Sequence, residues 1–202
     1  MTPIFWSFRR CPYAMRARLA LAATGARVEH REILLRDKPA AFLAASPSAT
    51  VPCLETASGV LDESYDIMLW ALAQGVPAGW MPMPPEGEAL IATTDGPFKT
   101  ALDRTKYHTR HATSPEAERP AAMPHLLDLN ARLDGRNWLF GAAPSLADMA
   151  ILPFVRQFAH IDKDWFDRQD WPHLRRWLDH FLGSDLFGQI MVKHALWQAT
   201  EK

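Results

Sequence analysis

An α/β N-terminal half followed by an all-helical C-terminal half is the fold class the sequence predicts, and three observations predict it. From Ile4 to about Gly75, short strand-like runs alternate with helix-like patterns, as layered α/β structure requires. The stretch from Gly75 to Gly87 holds four prolines and three glycines, a density that regular elements do not tolerate. Beyond it, strand periodicity disappears and apolar residues recur at helical spacing, with breaks at Gly96-Pro97 and around Pro115 to Pro124. The expected organisation is an α/β domain over residues 1–75, a linker over 76–87 and an all-helical bundle over 88–202.

The elements follow in order. Ile4 to Phe8 reads as a strand. Met15, Leu19, Ala22 and Ala23 then recur at helical spacing, and Gly25 supplies the stop. Val28 to Leu35 is a second strand, and Pro39 to Ala45 a short helix that ends before Ser46-Pro47. Val51 to Glu55 and Val60 to Asp62 form a hairpin about Thr56-Ala57-Ser58-Gly59. Ser64 is placed to cap a third helix with Tyr65, Met68, Leu69 and Leu72 on its apolar stripe. In the second half, Ser145-Leu146-Ala147-Asp148 is a capping-box variant that opens the strongest helix. Pro172 opens another, and Ser184-Asp185 the last.

Composition narrows the function classes. With 22 basic and 23 acidic side chains the chain lacks the bulk positive field that nonspecific nucleic-acid binding needs. No apolar stretch reaches the length of a membrane span, and the N-terminus runs into strand-like sequence without a signal peptide's apolar core. With only two cysteines, Cys11 and Cys53, the reducing cytoplasm is the expected compartment. His108 and His111 share a helical face, but nothing nearby completes a ligand set, so a solvated face and no metal are expected.

The most informative residue is Cys11, in Phe8-Arg9-Arg10-Cys11-Pro12-Tyr13-Ala14. It falls at the N-cap of the first helix, with Pro12 at the first helical position. A sulfur there meets unpaired amides and the positive end of the helix dipole, both of which favour a thiolate. Arg9, Arg10, Arg16 and Arg18 add positive potential, weakly if they are exposed. The bland alternative is a buried structural thiol.

These residues resemble a known family. Cys11-Pro12-Tyr13-Ala14 resembles a glutaredoxin motif whose second cysteine is replaced, Val51-Pro52 resembles the Val with cis-proline of thioredoxin folds, and Glu63-Ser64 resembles the glutathione-binding pair of the glutathione S-transferases. Together with Ser145 to Asp148, they make the chain similar to a cysteine-type glutathione S-transferase, near the omega class and the glutaredoxin-2-like proteins. The resemblance implies a thioredoxin-like N-terminal domain with an all-α C-terminal helix bundle, glutathione as cosubstrate, and a homodimer. It implies that Cys11 faces the glutathione sulfur with Tyr13 beside it. Val51, ahead of cis-Pro52, would meet the cysteinyl backbone, Glu63 and Ser64 the γ-glutamyl end, and Lys38 the glycine carboxylate. Phe98, Tyr107 and Trp165 are candidate walls of a second-substrate pocket, with core packing as the alternative.

Two departures shape the expectation. Ser46-Pro47-Ser48-Ala49-Thr50 replaces the family's usual polar approach to Val-Pro, which removes one side-chain contact to glutathione. Ala14 stands where a dithiol enzyme has its resolving cysteine, and Cys53 should turn inward by strand alternation. The implied reaction is therefore monothiol exchange with a small-molecule or protein disulfide, finished by a second glutathione, or dehydroascorbate reduction by the same thiol. The alternatives are a non-catalytic binding or regulatory protein of the same fold, a glutathione-conjugating transferase, and an isomerase that uses glutathione, a role that usually goes with serine at the active position.

Overall fold

The computed structural model describes residues 2–199. They divide into two compact units, one formed by residues up to Pro77 with the segment from Asp185 onward, the other by Ala78–Ser184.

The first unit contains β1 (Ile4–Ser7), α1 (Pro12–Thr24), β2 (Glu29–Glu32), α2 (Ala40–Ala45), β3 (Cys53–Thr56), β4 (Gly59–Leu61) and α3 (Ser64–Leu72). The four strands lie in the order β2-β1-β3-β4, with β1 parallel to β2 and antiparallel to β3, and β3 antiparallel to β4. This arrangement decides where the chemistry falls. The C-terminal ends of β1, β2 and β4 and the N-terminal end of β3 all lie at one end of the sheet, with Trp6 opposite Cys53 and Leu54 opposite Leu61.

Helix α1 is apolar almost all round, and every residue from Ala14 to Leu21 is buried. It ends as expected at Gly25, whose φ of 69° is open to glycine at little cost. There the Gly25 and Ala26 amides bond to Ala22 and Leu21 carbonyls. Trp6, Ala14, Ile33, Phe42, Val51 and Cys53 form a core cluster, against which Phe8, Cys11 and Trp197 pack.

The second unit is helical. It contains α4 (Pro85–Thr93), a π-helical turn over Thr94–Phe98, α5 (Lys99–Lys106), α6 (Pro115–Glu118), α7 (Met123–Arg132), α8 (Leu146–Ala159), α9 (Lys163–Asp167) and α10 (Pro172–Leu182). The π turn falls where Gly96-Pro97 interrupts the helical pattern, because Pro97 has no N–H to give the preceding turn. Helix α4 begins at Pro85, inside the stretch expected to be linker, since proline suits a first helical position.

A further difference lies at the C-terminal end. The expectation put 88–202 in one helical domain, whereas α11 (Asp185–Ile190) and the segment after it join the first unit. Helix α11 packs on α1. Leu196 then bridges to Glu32 beside the edge strand β2, the Trp197 N–H donates to the Glu32 carbonyl at 2.8 Å, and the Trp197 ring meets Trp6 edge-on at 5.0 Å. Arg31 lies over both indoles, at 4.8 and 4.9 Å.

Candidate functional site

Because three strand ends and the start of β3 share one end of the sheet, residues far apart in sequence meet there. The chain leaves β1 through Phe8-Arg9-Arg10, and the Cys11 N–H closes that turn on the Phe8 carbonyl at 3.0 Å. Cys11 is the N-cap of α1 with extended backbone (φ −76°, ψ 124°), and Pro12 takes the first helical position, as the sequence indicates. The sulfur is half-buried and makes no side-chain capping bond. Instead Sγ donates to the Val51 carbonyl at 3.6 Å, and Val51-Pro52 is a cis peptide. The thiol and the backbone step before β3 are thus in contact.

Ser64 departs from its expected place. The N-cap of α3 is the exposed Glu63, which caps with no side-chain bond, and Ser64 is the first helical residue, 2% exposed. Its hydroxyl accepts a hydrogen bond from Arg16 Nε at 2.9 Å. The Arg16 guanidinium also lies 5.2 Å from the Tyr13 ring centroid, so Tyr13, Arg16 and Ser64 form one packed group. Lys38 reaches across to the loop before Val51, where its Nζ donates to the Ala49 carbonyl at 2.9 Å. The same loop is held by Asp62, which accepts from Ser46 Oγ at 2.8 Å and from the Ser48 N–H at 2.6 Å. The segment that departs from the family pattern is therefore braced from within.

Arg16 and Arg18 are the residues the sequence reading misjudged. Expected to add little potential if exposed, they are instead buried, 2% and 6% exposed. Arg18 donates to Ser7 Oγ at 2.6 Å, the Arg9 carbonyl at 2.6 Å and the Phe8 carbonyl at 3.4 Å. Burial pushes its pKa down to about 10, partly opposed by the negative forms of Glu32 and Cys11, with Arg9 pushing down as well. It stays cationic at neutral pH. The missed signal is a helix apolar on every side, which has no solvent face on which to put an arginine.

Cys53 is fully buried, and burial first, then Asp62 and Glu55, pushes its thiol up to about 12. It lies in the core, as strand alternation leads one to expect, with its thiol held protonated at neutral pH. In the second unit, Phe98 is 1% exposed and packs on His125 and Phe158, so it is core and not a pocket wall. Tyr107 and Trp165 are half-buried, with Arg110 4.4 Å from the first ring and Arg119 4.5 Å from the second. His108 and His111 lie in a short 3-10 turn, and among the described residues no group of three or more His, Cys, Asp or Glu is placed to hold a metal ion. No helix of the described residues is long and apolar enough to cross a membrane.

A four-stranded thioredoxin-like sheet in one unit and a helical second unit is the architecture of the glutathione S-transferases. The model for the glutathione S-transferase N-terminal domain matches residues 5–78, and that for the C-terminal domain matches residues 115–180. The chain belongs to the glutathione S-transferase family. It is 25% identical over 204 residues to glutathione S-transferase omega-1 of Sus scrofa, covering 93% of this chain and 76% of that protein. Among solved structures, a glutathione transferase family member from Pseudomonas fluorescens with two glutathione bound matches with a TM-score of 0.79 at 16% identity, covering 94% of this chain and 92% of that one. Glutathione transferase Omega 3C from Trametes versicolor also matches at 0.79, with 15% identity over 94% of this chain and 84% of that one. At these identities the structures speak for the fold.

Proposed function

We propose that this chain is a glutathione-dependent thiol transferase of the cysteine type, with Cys11 as its nucleophile. The observation that carries the reading is the contact of Cys11 Sγ with the Val51 carbonyl at 3.6 Å, which sets the one solvent-reachable thiol among the described residues beside the backbone that would pair with the cysteinyl part of glutathione. Glu63 and Ser64 at the start of α3 would take the γ-glutamyl end, Tyr13 would flank the sulfur, and Lys38 would offer its ammonium to the glycine carboxylate. The glutathione held by the Pseudomonas fluorescens neighbour supports the same ligand here.

The reaction balances without an added oxidant or metal. The Cys11 thiolate attacks the glutathione sulfur of a mixed disulfide, a Cys11–glutathione bond forms, and the substrate leaves as a thiolate that takes a proton. A second glutathione thiolate then attacks the glutathione sulfur held on Cys11 and forms glutathione disulfide, freeing Cys11. Ala14 offers no internal thiol, so the external glutathione is required. A thiol whose pKa falls from about 8.5 to about 6 gains about thirtyfold in thiolate at neutral pH and loses about tenfold in nucleophilicity. Most of the benefit therefore comes when that thiolate is the leaving group.

Conjugation of electrophiles should be slower than disulfide exchange, because a Cys11 thiolate repels the thiolate of glutathione. A small-molecule or protein disulfide as substrate and a homodimer belong to the same reading and rest on the resemblance, and a cytoplasmic setting rests on the two cysteines. Intact mass after incubation with oxidised glutathione tests it: one glutathione adduct on the wild-type protein and none on Cys11→Ser is expected. An adduct that persists in Cys11→Ser, or none on either protein, overturns it.

A further inference from the structure

We propose that Arg18 is the positioning residue for Cys11 in the reading above, fixing the Phe8–Arg9 turn that carries the thiol and supplying the buried positive charge that favours its thiolate. The Phe8 carbonyl that accepts the Cys11 N–H at 3.0 Å also accepts from Arg18 Nη1 at 3.4 Å. The Arg9 residue is held at both ends, its carbonyl by Arg18 Nη2 at 2.6 Å and its N–H by Glu32 Oε1 at 2.6 Å. One guanidinium and one carboxylate thus clamp the residue two places before the thiol. A lysine ammonium, a point donor on a flexible stem, does not reproduce that fork.

The charge acts together with the geometry. None of the three acceptors of Arg18 is ionised, and its Nε is buried with no hydrogen-bond partner. The groups whose negative forms favour the cation are Glu32 and Cys11, and an interaction that favours the cation beside a thiolate favours the thiolate equally. This matters because Cys11 uses its proton to bond the Val51 carbonyl. Ionisation gives up that bond and leaves the sulfur facing a carbonyl oxygen, a cost that a nearby buried cation offsets.

The surrounding charged and titratable groups are Arg9 in the turn, Glu32 and His30 on β2, and His194 in the terminal segment. His30 Nε2 lies 3.2 Å from Glu32 Oε2, and the His194 ring stacks on His30 at 4.0 Å. Burial first, then His30 and Arg18, hold His194 below its ordinary value, with Glu32 pushing it up.

The test is the rate of Cys11 alkylation by iodoacetamide from pH 5 to 10, read by peptide mapping on the full chain. Arg18→Gln should raise the midpoint by about one unit, tenfold less thiolate at a given pH below it. Arg18→Lys should recover part of that shift. Glu32→Gln keeps an acceptor for the Arg9 N–H and removes a negative charge, so it should lower the midpoint. A structural brace alone does not give shifts of opposite sign. If Arg18→Gln fails to fold by circular dichroism, Glu32→Gln decides: a midpoint unchanged or raised in that variant overturns the proposal, as does an unchanged midpoint in folded Arg18→Gln. Alkylation uses no glutathione, so a protein that shows these shifts and takes no glutathione adduct loses the transferase reading and keeps Arg18.

Discussion

The start of α8 in the second unit and the starts of α1 and α3 in the first are built differently. Helix α8 in the second unit is closed by its own sequence: Ser145 Oγ accepts from the Asp148 N–H at 3.2 Å, and Asp148 accepts from the Ser145 N–H at 2.8 Å. Asp148 also takes the Leu139 N–H at 2.9 Å and the Trp177 indole N–H at 2.8 Å, and it is fully buried. Helices α1 and α3 in the first unit start at Cys11 and Glu63 with no side-chain cap. A start that satisfies itself is structural. In the proposed reading, starts whose caps are a thiol and an exposed carboxylate are the ones that offer amide donors and positive dipole to a ligand.

The largest expected effect separates these roles at Cys11. Cys11→Ser should abolish the glutathione adduct and shift unfolding free energy by less than about 1 kcal/mol, because no capping bond is lost. Urea unfolding alongside mass spectrometry checks both halves, and a large stability loss would make Cys11 structural. Asp148→Ala should do the reverse. It strips partners from four buried donors, the Leu139 and Ser145 N–H groups, the Ser145 hydroxyl and the Trp177 indole, and should cost about 3–5 kcal/mol in urea unfolding, while the folded fraction still takes the adduct.

What was legible in the sequence follows the same division. The capping box, the Cys11-Pro12 start, the Gly25 stop and the hairpin between β3 and β4 are local signals, where two or three neighbouring residues set the backbone. The burial of Arg16 and Arg18 was not legible by the same means, since arginines in a helix read as a solvated face until every other side proves apolar. Glu32 and Trp197 were missed because their roles come from pairing across the sheet edge with a segment 164 residues away. Ser64 shows the limit of a local rule, for the cap moved one residue back and its hydroxyl went to Arg16, 48 residues earlier. Phe98 shows another, since an aromatic in a helix fits a core and a pocket equally well.

The closed interior of the second unit also carries a titrating group. His125, 7% exposed, meets Thr94 Oγ1 at 2.9 Å, and the Thr94 hydroxyl donates to the Leu90 carbonyl at 2.8 Å. Thr94 has one proton and gives it to Leu90, so His125 is the donor and carries its hydrogen on Nε2. Burial pushes His125 down to about 4, against Asp128, which raises it. A histidine depressed in the folded state contributes stability above its ordinary pKa and loses it as pH falls from about 6.5 toward 4. Between pH 7 and 4.5 the loss from this group should be about 2–3 kcal/mol in urea unfolding. His125→Asn should flatten that slope, and a slope that survives would place the acid sensitivity elsewhere.

The smallest effects give the sharpest form of the contrast. Ser145→Ala removes one capping acceptor and should cost about 1 kcal/mol, with glutathione affinity unchanged. Glu63→Ala removes an exposed side chain that makes no capping bond, so unfolding should shift by less than about 0.5 kcal/mol. If Glu63 faces the ammonium of the γ-glutamyl group, the same change should weaken glutathione several-fold by calorimetry, and high salt should narrow the difference. An unchanged affinity in Glu63→Ala would remove Glu63 from the ligand set and leave the start of α3 to Ser64 and the helix amides. An affinity loss in Ser145→Ala comparable to that in Glu63→Ala would erase the distinction between closed and open starts, since both changes would then act through stability alone.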